Sequence, residues 1–355
     1  MKDLGHGADI NSLARFYNKD PREIIDFSSN INPNIIKDLE KHVYEGFKLC
    51  KSYPDIDYQN LRNNLSDYLD VDSKYIIPGN GATEIIYLLM KSIGKRLAVL
   101  NPTFSEYGRS AYLNGLDVLD LYLDKDQGFI VDINQIVENL DRFDSLFICN
   151  PNNPSGNVQD ISKLMDLLHK NNKLLIVDET FMEFVGDEQD YSLLKYVENN
   201  KNLFIIKAAT KFFGLPGLRL GYGITCNKEI LERIYKFKEP WTINTIADHL
   251  SNYIFIDKGY IQQSKIGGRL EREFLLERLK GIENIEVYDS DTNFILIKLI
   301  NKKSYQVKVE MFKDHSILIR DASNFKGLDD SYIRIAVKSR EDNLRIIKSL
   351  ERVVG

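Results

Sequence analysis

The stretch AATKFFGLPGLRLGYG, residues 208–223, runs an apolar strand into Lys211, then a Gly/Pro-rich turn, then Arg219. A lysine in an exposed loop needs no explanation. A lysine desolvated at a strand end near other cations is different: its pKa falls and it attacks carbonyls as a free amine. The planar fork of Arg219 suits a phosphate. Which of these readings holds depends on what the chain places around Lys211.

Working outward, short β-rich runs alternate with helix-periodic segments from about residue 75 to 235. RLAVL (96–100), SLFIC (145–149), KLLIVD (173–178), LFIIKAA (203–209) and LRLGYGI (218–224) read as strands. QDISKLMDLLHK (159–170) and EQDYSLLKYVENN (188–200) carry helical spacing. The alternation predicts an α/β domain with a mostly parallel, seven-stranded type of sheet, and the near-continuous apolar strands fit burial on both faces. Beyond KEPWTIN (238–244) the pattern changes. A long helical stretch runs to about residue 281, with a break expected at Gly267 and Gly268. NFILIKL (293–299), ILIRDA (317–322), YIRIAV (332–337) and a closing helix (340–352) then predict a smaller α+β domain. The expected organisation is an N-terminal segment (1–40) with little regular pattern packing on the small domain, a large domain (41–240), and an inter-domain helix with the small C-terminal domain (241–355).

The 355 residues carry 43% hydrophobic and 28% charged side chains and a formal net charge of -5. That balance gives no electrostatic reason to expect nucleic acid or an anionic membrane as partner. Cys50, Cys149 and Cys226 are far apart, so neither a disulfide framework nor a metal-ligand pattern is expected. The polar start MKDLGHGADINSLARFYNKD is unlike a secretory signal. With no apolar run approaching membrane-spanning length, the expectation is a cytoplasmic protein.

Four further motifs lie around the lysine turn. In PGNGATEIIYLLMKSIG (78–94), Gly79, Gly81, Ala82 and Thr83 open an apolar helix, where backbone N–H groups and the helix start favour an anion. The third glycine of a dinucleotide fingerprint is missing, since Glu84 stands in its place. NPNNPSG (150–156) follows an apolar strand; its residues are turn formers, yet Asn153 stands where α/β sheets place ligands. LLIVDETFMEF (174–184) ends its strand in Asp178, which either caps the next helix or holds a buried cationic group. NPTFSEYGRS (101–110) puts Phe104 in an aromatic turn. Taken in order, these motifs describe a pocket for a phosphorylated, protonatable pyridine aldehyde.

On these residues the chain resembles the fold-type I pyridoxal 5′-phosphate (PLP) enzymes of the aminotransferase class I/II group, over nearly its whole length. The resemblance implies Lys211 as the Schiff-base lysine and Asp178 as the partner of the pyridine nitrogen. It implies Gly81, Ala82 and Thr83 as the phosphate turn, with Thr210 and Arg219 completing it. Phe104 is implied as the aromatic on the cofactor ring and Asn153 as the partner of its O3′. Tyr53, in SYPDIDYQNLRNNL, is implied to reach the neighbouring subunit's cofactor in a homodimer, and Arg334 to grip the substrate carboxylate. Two departures stand out: Ala208 replaces a Ser or Thr, and Phe181 replaces a Tyr that donates to O3′.

HGADINSLARFY followed by IIDFSSNINPN is similar to the start of the L-threonine-O-3-phosphate decarboxylase family of cobalamin biosynthesis. That resemblance implies His6, Asn32 and Arg320 as the pocket for the phosphate of a small phosphorylated amino acid. It makes decarboxylation the expected reaction, with the related histidinol-phosphate type of aminotransferase as the alternative.

Overall fold

A computed structural model describes residues 7–355. Seven strands form the main sheet: β1 (Ile76–Asn80), β2 (Arg96–Asn101), β3 (Asp117–Tyr122), β4 (Ser145–Cys149), β5 (Leu174–Asp178), β6 (Leu203–Ala208) and β7 (Leu220–Ile224). Their order is β1-β7-β6-β5-β4-β2-β3, and β7 alone runs against the rest. The central strands are buried along their length, which is why SLFIC and LFIIKA read as unbroken apolar runs. One sheet face packs on the helices Gly81–Met90, Glu106–Leu113 and Lys228–Phe237. The other meets Gln59–Leu69, Ser162–Lys170 and Thr245–Ile254.

A second sheet of four antiparallel strands holds Ile285–Val287, Phe294–Leu299, Arg320–Asp321 and Tyr332–Ala336, backed by the helices Ser304–His315 and Arg340–Val354. A separate two-stranded sheet holds part of the N-terminal segment. Ile25–Asp26 pairs in parallel with Ile317–Leu318, and Ala336 donates its backbone N–H to Phe27 at 2.9 Å.

The structure corrects several sequence expectations. The break in the long helical stretch falls at Phe255–Asp257, where Asp257 caps a new helix, Lys258–Leu279; Gly267 and Gly268 sit inside it, facing open space. EQDYSLLKYVENN is not one helix. The buried Glu179 carboxylate takes the backbone N–H of Leu193 (2.9 Å) and the Ser192 hydroxyl (2.7 Å), leaving a short helix (Glu188–Tyr191) and a 3-10 turn. ILIRDA splits at Ile319 between two sheets. The first forty residues contain a helix, Ile10–Tyr17.

Candidate active site

The parallel strands deliver their carboxyl ends to one rim, the position at which open α/β sheets bind ligands. There β1 feeds Gly81, β2 leads to Phe104, β4 to Asn153, β5 ends at Asp178 and β6 runs on to Lys211. Because β7 is reversed, its start lies on the same rim, and the pairing of Asn80 with Leu220 sets Arg219 beside Gly81. A cavity of about 1150 Å³ opens over this rim.

The start of the Gly81–Met90 helix is built for an anion. No side chain caps its first turn, so backbone donors of Ala82 and Thr83, both lining the cavity, remain available to a ligand. Gly81 has φ of +77°, and a Cβ there would lie 2.5 Å from Nη2 of Arg219. At Gly221 a Cβ would meet the Ala82 nitrogen at 2.2 Å, so β7 can approach the helix start only without a side chain. Gly81→Ala therefore displaces the guanidinium as well as straining the backbone. Affinity for pyridoxal 5′-phosphate, followed by its absorbance, is expected to fall about tenfold or more; unchanged affinity would remove this cradle from the site.

Lys211 lines the cavity, and among the described residues its amine has no hydrogen-bond or ion-pair partner. Desolvation, then the charges of Arg334 and Arg219, lower its pKa to about 8, against the smaller opposing pull of Asp26 and Asp178. Asp178 is buried in the lining of the same cavity. Burial raises its pKa, opposed by hydrogen bonds from Thr180 and Tyr107. The Thr180 backbone N–H donates to Oδ1 at 2.9 Å and the Tyr107 hydroxyl to Oδ2 at 2.7 Å. Asp178 therefore closes a local turn onto Thr180 but caps no helix, since Phe181 stands at the N-cap of the next one, Met182–Phe184; its carboxylate lines the cavity.

Antiparallel pairing sets Arg320 directly opposite Arg334, both buried. Like charges facing across a ladder are unfavourable unless an anion joins them. Arg334 donates to the Asn153 side-chain oxygen and, at 2.9 Å, to the Ser28 carbonyl, both neutral acceptors; its Nε is buried without a partner. Burial and the Arg320 charge both lower its pKa. Buried polar atoms of Asn30 and Thr103 in the same lining are likewise without partners. Such atoms mark a site completed by a ligand.

Of the residues singled out by sequence, Ala82, Thr83, Phe104, Asn153 and Asp178 line the cavity. So do Thr210, Lys211, Arg219, Arg320 and Arg334, while Gly81 lies just behind the Arg219 guanidinium. Asn32 has other partners. Its amide is spent on the Phe212 carbonyl (2.7 Å) and the Tyr260 hydroxyl (3.1 Å), and its backbone N–H on the Lys211 carbonyl (3.1 Å). It holds the lysine turn in place and does not face the cavity; Asn30, two residues earlier in the same motif, does. Tyr53 is 79% exposed against Trp241 and lines no part of the cavity within one chain. His6 lies outside the described residues. Phe181 lines the cavity with its ring edge-on to Phe294, and neither it nor Ala208 offers a hydroxyl.

The donor set fits pyridoxal phosphate: a glycine cradle with an arginine for phosphate, an aromatic face, a buried carboxylate and an amine of lowered pKa. Among the described residues no cluster of His, Cys, Asp or Glu is arranged to hold a metal ion, and no helix is long and apolar enough to cross a membrane.

Comparison with known proteins agrees with this geometry. The profile of the family "Aminotransferase class I and II" matches residues 22–350. A protein of Caldanaerobacter subterraneus provisionally named threonine-phosphate decarboxylase is 37% identical, over 91% of this chain and 88% of its own length. Histidinol-phosphate aminotransferase from Clostridium acetobutylicum superposes with a TM-score of 0.88 at 36% identity, over 93% of this chain and 99% of that one. L-threonine-O-3-phosphate decarboxylase from Porphyromonas gingivalis superposes with a TM-score of 0.82 at 28% identity, over the same shares.

Proposed function

We propose that this chain, which belongs to the aminotransferase class I and II family, is a pyridoxal-phosphate enzyme acting on a small phosphorylated amino compound. The observation that carries the reading is that the unpartnered Lys211 amine, the buried Asp178 and Arg219 line one cavity, with Arg219 set against Gly81.

Gly81, Ala82, Thr83, Thr210 and Arg219 would hold the cofactor phosphate, Phe104 its ring face, and Asn153 its O3′ through the amide nitrogen left free by Arg334. Bound there, pyridoxal phosphate supplies a sink for electrons released at the substrate Cα. Asp178 holds the proton at the ring nitrogen. The Lys211 amine, in the lining of the same cavity, would take or return a proton at the substrate Cα. Arg334 orients the carboxylate of an amino-acid substrate, and Arg320, facing it across the ladder, is placed for a second anionic group. Phe181 contributes shape without a hydrogen bond, so the cofactor oxygen depends on Asn153. A homodimer in which the exposed Tyr53 reaches the partner's site accords with its lying outside this chain's own cavity.

Transamination of the histidinol-phosphate type is the finer reading with the broader support among similar proteins. Decarboxylation of threonine phosphate is favoured by Phe181, by the opening HGADINSLARFY and IIDFSSNINPN, and by the similarity to the Caldanaerobacter protein. A substrate panel separates them. Transamination predicts 2-oxoglutarate-dependent loss of histidinol phosphate and no CO2 from threonine phosphate. Release of CO2 from threonine phosphate without any 2-oxoacid would overturn it in favour of the lyase.

A further inference from the structure

We propose that Tyr107 acts through Asp178 as a positioning residue: its hydroxyl fixes the plane of the carboxylate and keeps it charged toward the cofactor ring. The inference rests on the reading of the site as one for pyridoxal phosphate, and deepens it.

Asp178 is buried, and no lysine or arginine forms an ion pair with it among the described residues. An unpaired buried carboxylate drifts toward its neutral form unless hydrogen bonds hold the charge. It has two such bonds of known geometry, one on each oxygen. The Thr180 backbone N–H on Oδ1 comes with the turn and cannot be altered by a side chain. The Tyr107 hydroxyl on Oδ2, at 2.7 Å, can. The Thr180 hydroxyl also faces the carboxylate and favours its charged form, although its Oγ1 makes no hydrogen bond of good geometry; the remaining groups do less. Cys149, its partner in the β4–β5 register, directs its thiol to the Pro151 carbonyl at 3.2 Å, and burial pushes that thiol's pKa up, so it stays neutral. Lys207 is buried beside Glu183 (3.1 Å) and Glu179 (3.5 Å), which share its charge. Lys211 lines the same cavity.

Tyr107 is well held for this task. It sits in the first turn of the Glu106–Leu113 helix, fully buried, its ring stacked on Phe147 with centroids 3.9 Å apart and planes at 16°. It also meets Phe104 edge-on at 5.7 Å, so the residue beneath the carboxylate and the aromatic facing the cofactor are fixed by one turn of chain. Burial raises the phenol's pKa, so the group stays a donor throughout the working pH range. A carboxylate that lost this donor would protonate more readily and could no longer balance a cationic ring nitrogen.

The test uses the full-length chain, first without and then with pyridoxal phosphate. The protonated-carboxyl infrared band of Asp178, identified by its disappearance in Asp178→Asn, is followed against pH in the cofactor-free protein. Tyr107→Phe keeps the stacked ring and removes the donor. Its half-protonation point is expected to move up by about one pH unit or more. A fluorinated tyrosine incorporated at position 107, a stronger donor, is expected to move it down, and this arm still reads if Tyr107→Phe does not fold. An Asp178 midpoint indifferent to these changes overturns the proposal. The pH at which the visible band of bound cofactor converts should move in Tyr107→Phe as well. Failure of the wild-type chain to bind pyridoxal phosphate would sink the functional reading instead, and leaves the infrared arms readable.

Discussion

Lys211→Met is expected to lose turnover by about 10⁴-fold or more while making the cofactor-free chain more stable at pH 7. The two effects have one origin. With its pKa lowered to about 8, roughly a tenth of Lys211 amines are neutral at pH 7, against about one in three thousand for a lysine near its ordinary 10.5. Only an amine in that neutral fraction can attack an aldehyde. The same shift means the unfolded chain holds this proton more tightly than the folded one between about pH 8 and 10.5. Across that window stability rises with pH, and below it the folded state carries the full cost of a charge it disfavours. Methionine keeps the length and apolar bulk of the side chain and removes the charge. The thermal midpoint of the variant should therefore exceed that of the wild type at pH 7, and the difference should shrink toward pH 10. Borohydride reduction followed by mass spectrometry should find the cofactor on the Lys211 peptide of the wild type and on no lysine of the variant. A variant that still carries it covalently on another lysine, with turnover intact, would remove Lys211 from its role.

Much of this was readable from the residues because the strands buried on both faces cannot conceal their character. SLFIC is strand over the whole length read for it, and the lysine, asparagine and aspartate motifs follow directly from the ends of β6, β4 and β5. The two strands of the main sheet that were missed fail for opposite reasons. Ile76–Asn80 carries Pro78 and Gly79, which argue against a strand, but it lies at the sheet edge, where a missing N–H is tolerated. Asp117–Tyr122, DVLDLY, breaks its apolar run with two aspartates because it is the other edge and only partly covered. The glycines at 267 and 268 mislead because helix propensity is a weak prior that packing overrides. In the site, Asn30 and Asn32 are indistinguishable in a loop without periodicity; only the fold shows which one turns inward. Tyr107 had a signal: it lies three residues after Phe104, at the start of a helix that begins at Glu106. Nothing in the sequence, however, says that its hydroxyl meets Asp178.

The pairing of Arg320 with Arg334 leads to the second large effect. Arg334→Lys is expected to lower kcat/KM for the amino-acid substrate by about 10³-fold, nearly as much as Arg334→Ala. The guanidinium already donates one nitrogen to Asn153 and one to the Ser28 carbonyl, and it keeps Nε unmet, so the donors are spread over a planar fork. A lysine places a single point of charge there and cannot hold Asn153 while also meeting a carboxylate. Were the residue only a structural cation, lysine would restore most of the loss, since the charge and much of the buried stem survive. The matching amine without a carboxylate provides the control. It should bind wild type and Arg334→Lys with similar affinity, because the group that Arg334 grips is absent. An equal loss of affinity for that amine would mean that the substitution damages the cavity as a whole, and the carboxylate assignment would fall. If the carboxylate-dependent loss appears as expected, Arg334 reads the substrate carboxylate through a fork whose other donors are already held by Asn153 and the Ser28 carbonyl.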